Sequence, residues 1–506
     1  MVLQRFAVQR LLYGGAFFAV IAGSVLTRFW ALSTQPGGLY PDEAAEGVSA
    51  QRLLSEPGYH PIFFDDDGGR EAPYAYIVAL AFRLFGASVV TLRGTSAVLG
   101  VVGVIGLWLG VRRFGRGAAL AAMAWSAGSL WLIAVSRDGM RNVTTIVAGG
   151  LALAALLAWG DRATRWPAVL AGLAVGAGLW TYQPLKFLPL LVIGWLVWMR
   201  RVDRERWHRI RHTLPWAIGA YLAVAAPMMW TAITDPSHYF ARGAAVLVFN
   251  PGSGATESYP VHVLRTLAMF LFTGDPNQRQ DAGALPLLGP LLFIPFAVGV
   301  WRAWRKRSDH GHAMLLIGLV VFLIPPLISN EGDSPHFLRS LGLAPYVAAL
   351  IGIGVMHILA AARHWLPLIA DTPARTGWAI AAAVGAGAFI AVGAGSATAY
   401  LGRSDRDLYA AFSYADVKLA AIAAAGPATV AIVDDYNATD VRFLDAGNLP
   451  TILAPNGRLT NPKVYSLIVA PSRELIAAAT DAATAARASV ATYDLQHNPE
   501  WFEVVP

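Results

Sequence analysis

Two carboxylates stand side by side in Leu39-Tyr40-Pro41-Asp42-Glu43-Ala44, shortly beyond the first long apolar segment of the chain. A carboxylate is costly inside hydrocarbon, and at its edge it usually faces a cavity or a substrate path. Such a group can take a proton from an attacking hydroxyl. Aspartate, with an ordinary pKa of about 3.9, is a weak base in water, and a drier site raises it. Asp42 and Glu43 also suit a helix N-terminus, where negative charge meets the dipole. Cations stand near other apolar segments: Arg70, Arg137, Arg141, Lys186 and Arg339. Arginine grips phosphate with two parallel hydrogen bonds and stays charged. A lone arginine at a helix end ordinarily snorkels. Cations arriving from separate segments point instead to an anionic leaving group.

The elements that must position these groups are membrane helices. Of 506 residues, 56% are hydrophobic and only 14% charged, too apolar for an ordinary soluble domain. Apolar segments recur at 12–33, 87–111, 117–135, 143–160, 168–182, 187–199, 213–232, 284–301, 313–329, 338–360 and 377–400. Roughly 20 apolar residues cross the hydrocarbon, so about eleven transmembrane helices are expected. Helices are the form, since lipid offers backbone groups no other partner outside a closed barrel. The first reads as an anchor, its apolar run exceeding that of a cleaved signal.

Basic residues gather on alternate connections. Arg5 and Arg10, then Arg112, Arg113 and Arg116, then Arg162 and Arg165 mark one side, followed by the dense run from Arg200 to Arg211. Arg302, Arg305, Lys306 and Arg307, with Arg363 and Arg375, continue it. The positive-inside rule then puts the N-terminus in the cytoplasm and the C-terminus outside. The net charge of +7 is mainly this topology signal. No soluble basic face with aromatics suggests nucleic acid. The absence of cysteine excludes disulfides, thiolate metal sites and a cysteine nucleophile.

The first outer connection, about 34–86, predicts two interfacial helices, Tyr40 to Glu56 and Tyr74 to Phe85. Between them, Asp65-Asp66-Asp67 could hold a hard divalent cation, but the following glycines suit a solvated turn. A divalent metal is therefore open, and no metal ligand is assigned. The connection at about 233–283 reads as a mobile flap around Pro251, Gly252 and Gly254. Beyond residue 400 the pattern changes. Apolar runs at 429–433, 450–454 and 465–470 read as strands and 472–488 as a helix, predicting a small α/β domain. Asp434 and Asp435 end the first strand, where α/β ligand sites tend to lie, although a solvated strand end is the favoured reading of the pair. The expected division is a membrane domain over 1–400 and an extracytoplasmic α/β domain over 401–506.

Several motifs now carry a resemblance. They are Asp42-Glu43, Gly69-Arg70-Glu71-Ala72-Pro73-Tyr74, Phe85-Gly86 with Arg93, and Ser136-Arg137-Asp138-Gly139-Met140-Arg141. Thr181-Tyr182-Gln183-Pro184-Leu185-Lys186 and His336-Phe337-Leu338-Arg339-Ser340-Leu341-Gly342 complete the set. In this order they resemble the GT-C glycosyltransferases of the protein O-mannosyltransferase and lipid A aminoarabinose-transferase type (glycosyltransferase family 39-like), over roughly residues 10–400. The resemblance implies a polytopic GT-C helical fold in a bacterial or archaeal cell membrane. It implies inverting transfer of a sugar from a polyprenyl-phosphate donor on the outer face. It favours Asp42 as general base, with Glu43 beside it in a positioning role. Asp138 matches a second acidic position, orienting an arginine or binding a metal. Arg70, Arg137, Arg141, Lys186 and Arg339 would hold the phosphate, with Arg137, Arg141 and Lys186 foremost. Some members place two prolines after a basic residue where this chain has Arg70-Glu71-Ala72-Pro73.

No loop can hold the extra lumenal domain of eukaryotic protein O-mannosyltransferases, so the expected acceptor is a glycolipid, glycan or cell-wall polymer. A transporter or flippase of a lipid-linked or anionic substrate would instead place charges mid-span at broken helices. A non-enzymatic envelope assembly factor would account for the outer domain but not for acid and cations presented together. The charge asymmetry makes a direct prediction. A reporter fused after Leu401 should be extracytoplasmic, and a cytoplasmic signal would invert the topology.

Overall fold

The computed structural model describes residues 2–64, 69–250, 256–329, 332, 334–370, 387 and 391–402, with Thr439, Phe443 and the strands of residues 431–505. Asp65-Asp66-Asp67, Asp434, Asp435 and the helix expected over 472–488 lie outside the described residues. The protein divides into two compact units. The first comprises Met1–Leu32, His60–Tyr74 and Arg93–Arg403; the second comprises Ser33–Tyr59, Ala75–Leu92 and Ser404–Pro506.

In chain order the elements are α1 (Val2–Phe29), α2 (Pro41–Ser55), β1 (Phe63–Phe64), β2 (Arg70–Glu71), α3 (Pro73–Phe85), α4 (Val89–Val111), α5 (Arg116–Gly128) and α6 (Leu130–Arg137). Then follow α7 (Thr144–Arg162), α8 (Arg165–Gly178), α9 (Leu188–Val202), α10 (Arg204–Ile210), α11 (Leu214–Thr234) and α12 (Pro236–Ala245). The last helices are α13 (Tyr259–Ala268), α14 (Gly289–Arg305), α15 (His310–Ile328) and α16 (Ala344–Ala370).

Six described helices are long and apolar enough to cross a membrane: Arg10–Phe29, Val89–Phe114, Arg141–Arg162, Leu214–Thr234, His310–Ile328 and Leu341–Ala362. The pair α5 and α6 would make a seventh, bent by 58° about Ser129. These six fall in segments among the eleven or so expected, and the segment expected at 377–400 lies partly outside the described residues. Helices α8 and α9 fall in expected segments but have 14 and 15 residues, short of a straight crossing, while α14, with 17, stands at the lower limit of one. The connection expected as a flap carries two described helices, α12 and α13, while Pro251, Gly252 and Gly254 lie outside the described residues. Asp235 accepts from the His238 N–H and Pro236 is the first helical residue, a start signal that fixes α12.

Apolar side chains gain little from helix association in lipid, so close backbone packing must hold the first unit together. Glycine makes this possible between α14 and α16. A Cβ on Gly299 would strike the Leu350 backbone, and one on Gly354 would strike the Pro295 carbonyl. Buried arginines close the helix ends. Arg137 donates to the carbonyls of Thr27 (3.1 Å), Arg28 (2.9 Å) and Trp30 (2.7 Å) at the end of α1. Arg28 in turn donates to the Ser126 and Ala127 carbonyls at the end of α5, each at 3.2 Å. Terminal carbonyls with no helical partner need such donors where water is scarce.

The second unit contains α2, most of α3 and a five-stranded sheet. Its strands are β3 (Ala431–Val433), β4 (Thr451–Leu453), β5 (Leu467–Val469), β6 (Ser489–Leu495) and β7 (Asn498–Val505). Their order is β4-β3-β5-β7-β6. Strand β3 pairs in parallel with β4 and β5, through Ile432 opposite Ile452 and Ile468. The hairpin β6–β7 runs antiparallel and joins β5 through Phe502 opposite Ile468. The first three strands occupy apolar runs noted in the sequence; the terminal hairpin is additional. Phe443 stacks on Phe82 with ring centroids 5.9 Å apart.

The glycine contacts set a test. Gly354→Val should drive backbone against backbone and destabilise the protein by about 1–3 kcal/mol or more. Gly219→Ala, where a Cβ meets nothing within 4 Å, should change little. Thermal unfolding in detergent compares them, and equal midpoints would remove the packing argument.

Candidate functional site

The site in the first unit is built on a short hairpin. Phe63 pairs with Glu71 and Phe64 with Arg70, antiparallel. Gly69 enters β2 with φ +99°, and a Cβ there would meet the His238 carbonyl at 2.6 Å and the Phe63 ring. Only glycine admits this approach of the hairpin to α12 without strain. Tyr74 at the start of α3 hydrogen-bonds Ser96 of α4 at 2.7 Å.

The hairpin delivers Glu71, whose side chain is 2% exposed. One carboxylate oxygen accepts from Arg141 Nε at 3.2 Å and the other lies 2.8 Å from Lys186 Nζ. Arg141 opens a 3₁₀ turn that leads into α7. Lys186 sits in the 3₁₀ segment Gln183–Phe187 before α9. Burial alone would push the Glu71 carboxyl up, but Lys186 and Arg141 outweigh it and hold it below its ordinary value.

Aromatic rings complete the arrangement. The Arg141 guanidinium lies 5.9 Å from the Tyr182 ring centre and that of Arg339 lies 5.4 Å from it. Arg339 Nη1 donates to the Tyr182 hydroxyl at 2.6 Å. Lys186 Nζ is 4.6 Å from the Tyr239 ring centre, and Tyr239 packs on Phe63. The segment carrying Arg339 is clamped nearby. The Phe337 carbonyl accepts from the Trp131 indole at 3.0 Å and its N–H donates to Asp275 at 2.6 Å. Burial pushes the Asp275 carboxyl up to about 7.

The expected phosphate-binding cations therefore separate. Arg141 shares Glu71 with Lys186 and the Tyr182 ring with Arg339. Arg70 is buried in the hairpin with its guanidinium 5.2 Å from the Phe64 ring centre. Arg137, expected among the foremost, instead caps α1. Asp138 is buried between α6 and α7. In the second unit, Asp42 and Glu43 occupy the first turn of α2, and Glu43 Oε2 accepts from the Tyr40 N–H at 3.2 Å. Glu43 thus caps its own helix. Glu71 and Tyr182 lie inside motifs noted in the sequence, yet their roles were not read there. The ion pair joins positions 70 residues apart, which no local spacing reveals. Among the described residues no group of three or more His, Cys, Asp or Glu side chains is arranged to hold a metal.

Comparison with known proteins bears on this arrangement. Residues 72–230 match the family model of dolichyl-phosphate-mannose-protein mannosyltransferases. ArnT from Cupriavidus metallidurans in the apo state superposes with a TM-score of 0.59 at 15% identity, over 99% of this chain and 98% of that one. The same protein bound to undecaprenyl phosphate gives 0.55 at 15%, over 92% and 88%. The archaeal oligosaccharyltransferase AglB from Archaeoglobus fulgidus, with an inhibitory peptide and a dolichol-phosphate, gives 0.57 at 14%, over 88% and 65%. The chain has the GT-C glycosyltransferase fold. It is an integral membrane protein and resembles these enzymes in sequence model and in fold. No curated protein matches it. The family match begins one residue after Glu71 and includes Asp138, Arg141 and Lys186.

The buried triad predicts a stability effect. Removing one partner of a buried pair leaves uncompensated charge and costs about 3–5 kcal/mol. Glu71→Gln should therefore lower the unfolding midpoint at neutral pH. A depressed carboxyl pKa stabilises the fold above its unfolded value and ceases to do so as pH falls through the folded one. The wild type should lose this contribution as pH drops below about 4.5, while the Gln variant lacks it throughout. Unfolding midpoints across that range give the test; parallel curves would exclude the triad as a determinant.

Proposed function

We propose that this GT-C protein transfers a sugar from a polyprenyl-phosphate-linked donor to an acceptor hydroxyl on the extracytoplasmic face, with inversion. The observation that carries the reading is the pair Arg141 and Lys186, held on buried Glu71 and flanked by Tyr182 and Arg339. Cations fixed before the reaction stabilise charge that develops on a departing group and need not reorganise. The lipid phosphates named with the ArnT and AglB structures support a donor of this class.

In the proposed step the acceptor hydroxyl loses its proton to the Asp42 carboxylate. Its oxygen forms a bond to the anomeric carbon as the bond from that carbon to the phosphate oxygen breaks. The phosphate leaves with the electron pair, and Arg141 and Lys186 balance its charge. The Asp42 assignment rests on its acidic motif and on the family resemblance. The helix-capping bond of Glu43 supports a positioning role for that residue. Hexosyl and pentosyl donors both fit this chemistry, as do glycolipid, glycan and cell-wall acceptors. Charges gathered at helix ends rather than mid-span favour transfer over transport.

Asp42→Asn keeps the shape and removes the basicity. Turnover of a polyprenyl-phosphate sugar should fall by roughly a hundredfold or more, with donor binding retained. Glu43→Gln should lose less. Lys186→Ala should weaken donor binding itself. Near-wild-type turnover by the Asn variant would remove Asp42 from proton transfer.

A further inference from the structure

A second polar assembly closes the opposite end of the same helix bundle. Helix α7 begins beside Arg141 and ends beyond Asp161, so its ends lie about 30 Å apart at 1.5 Å per residue. At the far end Arg113 donates to Asp161 at 3.0 Å and to Asp309 at 2.9 and 2.8 Å. His312 Nδ1 lies 2.7 Å from Asp309 and His310 Nε2 2.8 Å from Asp161. Both carboxylates are thereby engaged.

Beside this network lies a cavity of about 330 Å³. Among the described residues its polar lining is Arg113, Arg302, Lys306, His312 and His357, with no carboxylate. Arg302 and Lys306 have no acidic partner among the described residues. Both close α14, where cations suit the helix dipole, but the dipole does not require a cavity. The rest of the lining is apolar, including Ile353, Met356 and Ala360 of α16. Cationic groups above an apolar wall match an amphipathic anion. Trp301 and Trp304 stand 50% and 58% exposed on the last turns of α14, as aromatic residues do at a membrane surface. Trp301 also packs on His357, with ring centroids 5.5 Å apart.

We infer that this cavity binds the phosphate of an anionic membrane lipid, with its acyl chain along α16. Arg302 and Lys306 are its principal phosphate partners, and the Arg113 network holds the adjoining wall in place. Basic pockets between membrane helices are suited to anionic head groups. The site is separate from the one built on Glu71.

The test places the full-length protein in nanodiscs of phosphatidylcholine with a minor fraction of phosphatidylglycerol. Lipid retained after mild detergent extraction is counted by native mass spectrometry. The wild type should retain phosphatidylglycerol in preference, and R302Q/K306Q about thirtyfold less, from roughly 1 kcal/mol per cation. Lys306 is exposed, so K306Q alone should fold normally and move in the same direction. R200Q/R201Q, at exposed positions of α9, should retain phosphatidylglycerol as the wild type does. Equal retention by R302Q/K306Q, or an equal loss in R200Q/R201Q, would overturn the site. Inorganic phosphate binding without any lipid preference would overturn the lipid assignment.

Discussion

One buried carboxylate sets the terms for the rest of the first unit. An isolated ion in an apolar interior would shift its pKa and neutralise. Glu71 remains ionised because Arg141 and Lys186 reach it from two other segments. Each of the three stands at the edge of a regular element: the end of a two-residue strand, the turn before α7, and the turn before α9. Their meeting fixes where those elements start. Conversely, the charges hold position only because helix packing leaves them little room. The α14–α16 contact, where glycines let backbones touch, represents the packing half of this mutual dependence.

The same economy of buried charge closes helix ends. Arg137 of α6 satisfies carbonyls at the end of α1, and Arg28 of α1 satisfies those at the end of α5. Bulk water would do this in a soluble protein, but hydrocarbon does not. Arginine is well suited, since its fork of donors reaches several carbonyls from one planar group. A guanidinium near the bilayer edge therefore has two quite different uses here, carbonyl capping and carboxylate pairing.

Arg137 and Arg141 show where the sequence stops being informative. They are four residues apart and chemically identical, and the motif recommends both. Helix α6 ends between them, and the turn through Asp138 and Met140 aims one at α1 and the other at Glu71. No property of either residue contains that turn. Apolar runs were legible because lipid demands them, yet α8 and α9 show that a run marks a helix without fixing its length. Strands β3, β4 and β5 were legible as short apolar runs. The β6–β7 hairpin was not, because its polar and aromatic residues lack a continuous apolar stretch. The capping signal Asp235-Pro236 was present, but Pro251, Gly252 and Gly254 further along that connection suggested a flap. Asp42 and Glu43 stood out because acids beside an apolar segment are rare. Glu71 drew no such notice, since its partners come from distant parts of the chain.

Helix α7 connects Arg141 at one end with Asp161 at the other. Each α-helical residue advances the chain by about 1.5 Å and turns it by roughly 100°. Inserting or deleting one residue within α7 would therefore swing one terminal group off its partners, whichever end stayed fixed. Changes in chain length should accumulate in the connections and leave this helix at constant length. In a set of homologous sequences, the interval from Arg141 to Asp161 would then act as a ruler, more constant than the identity of the apolar residues it spans.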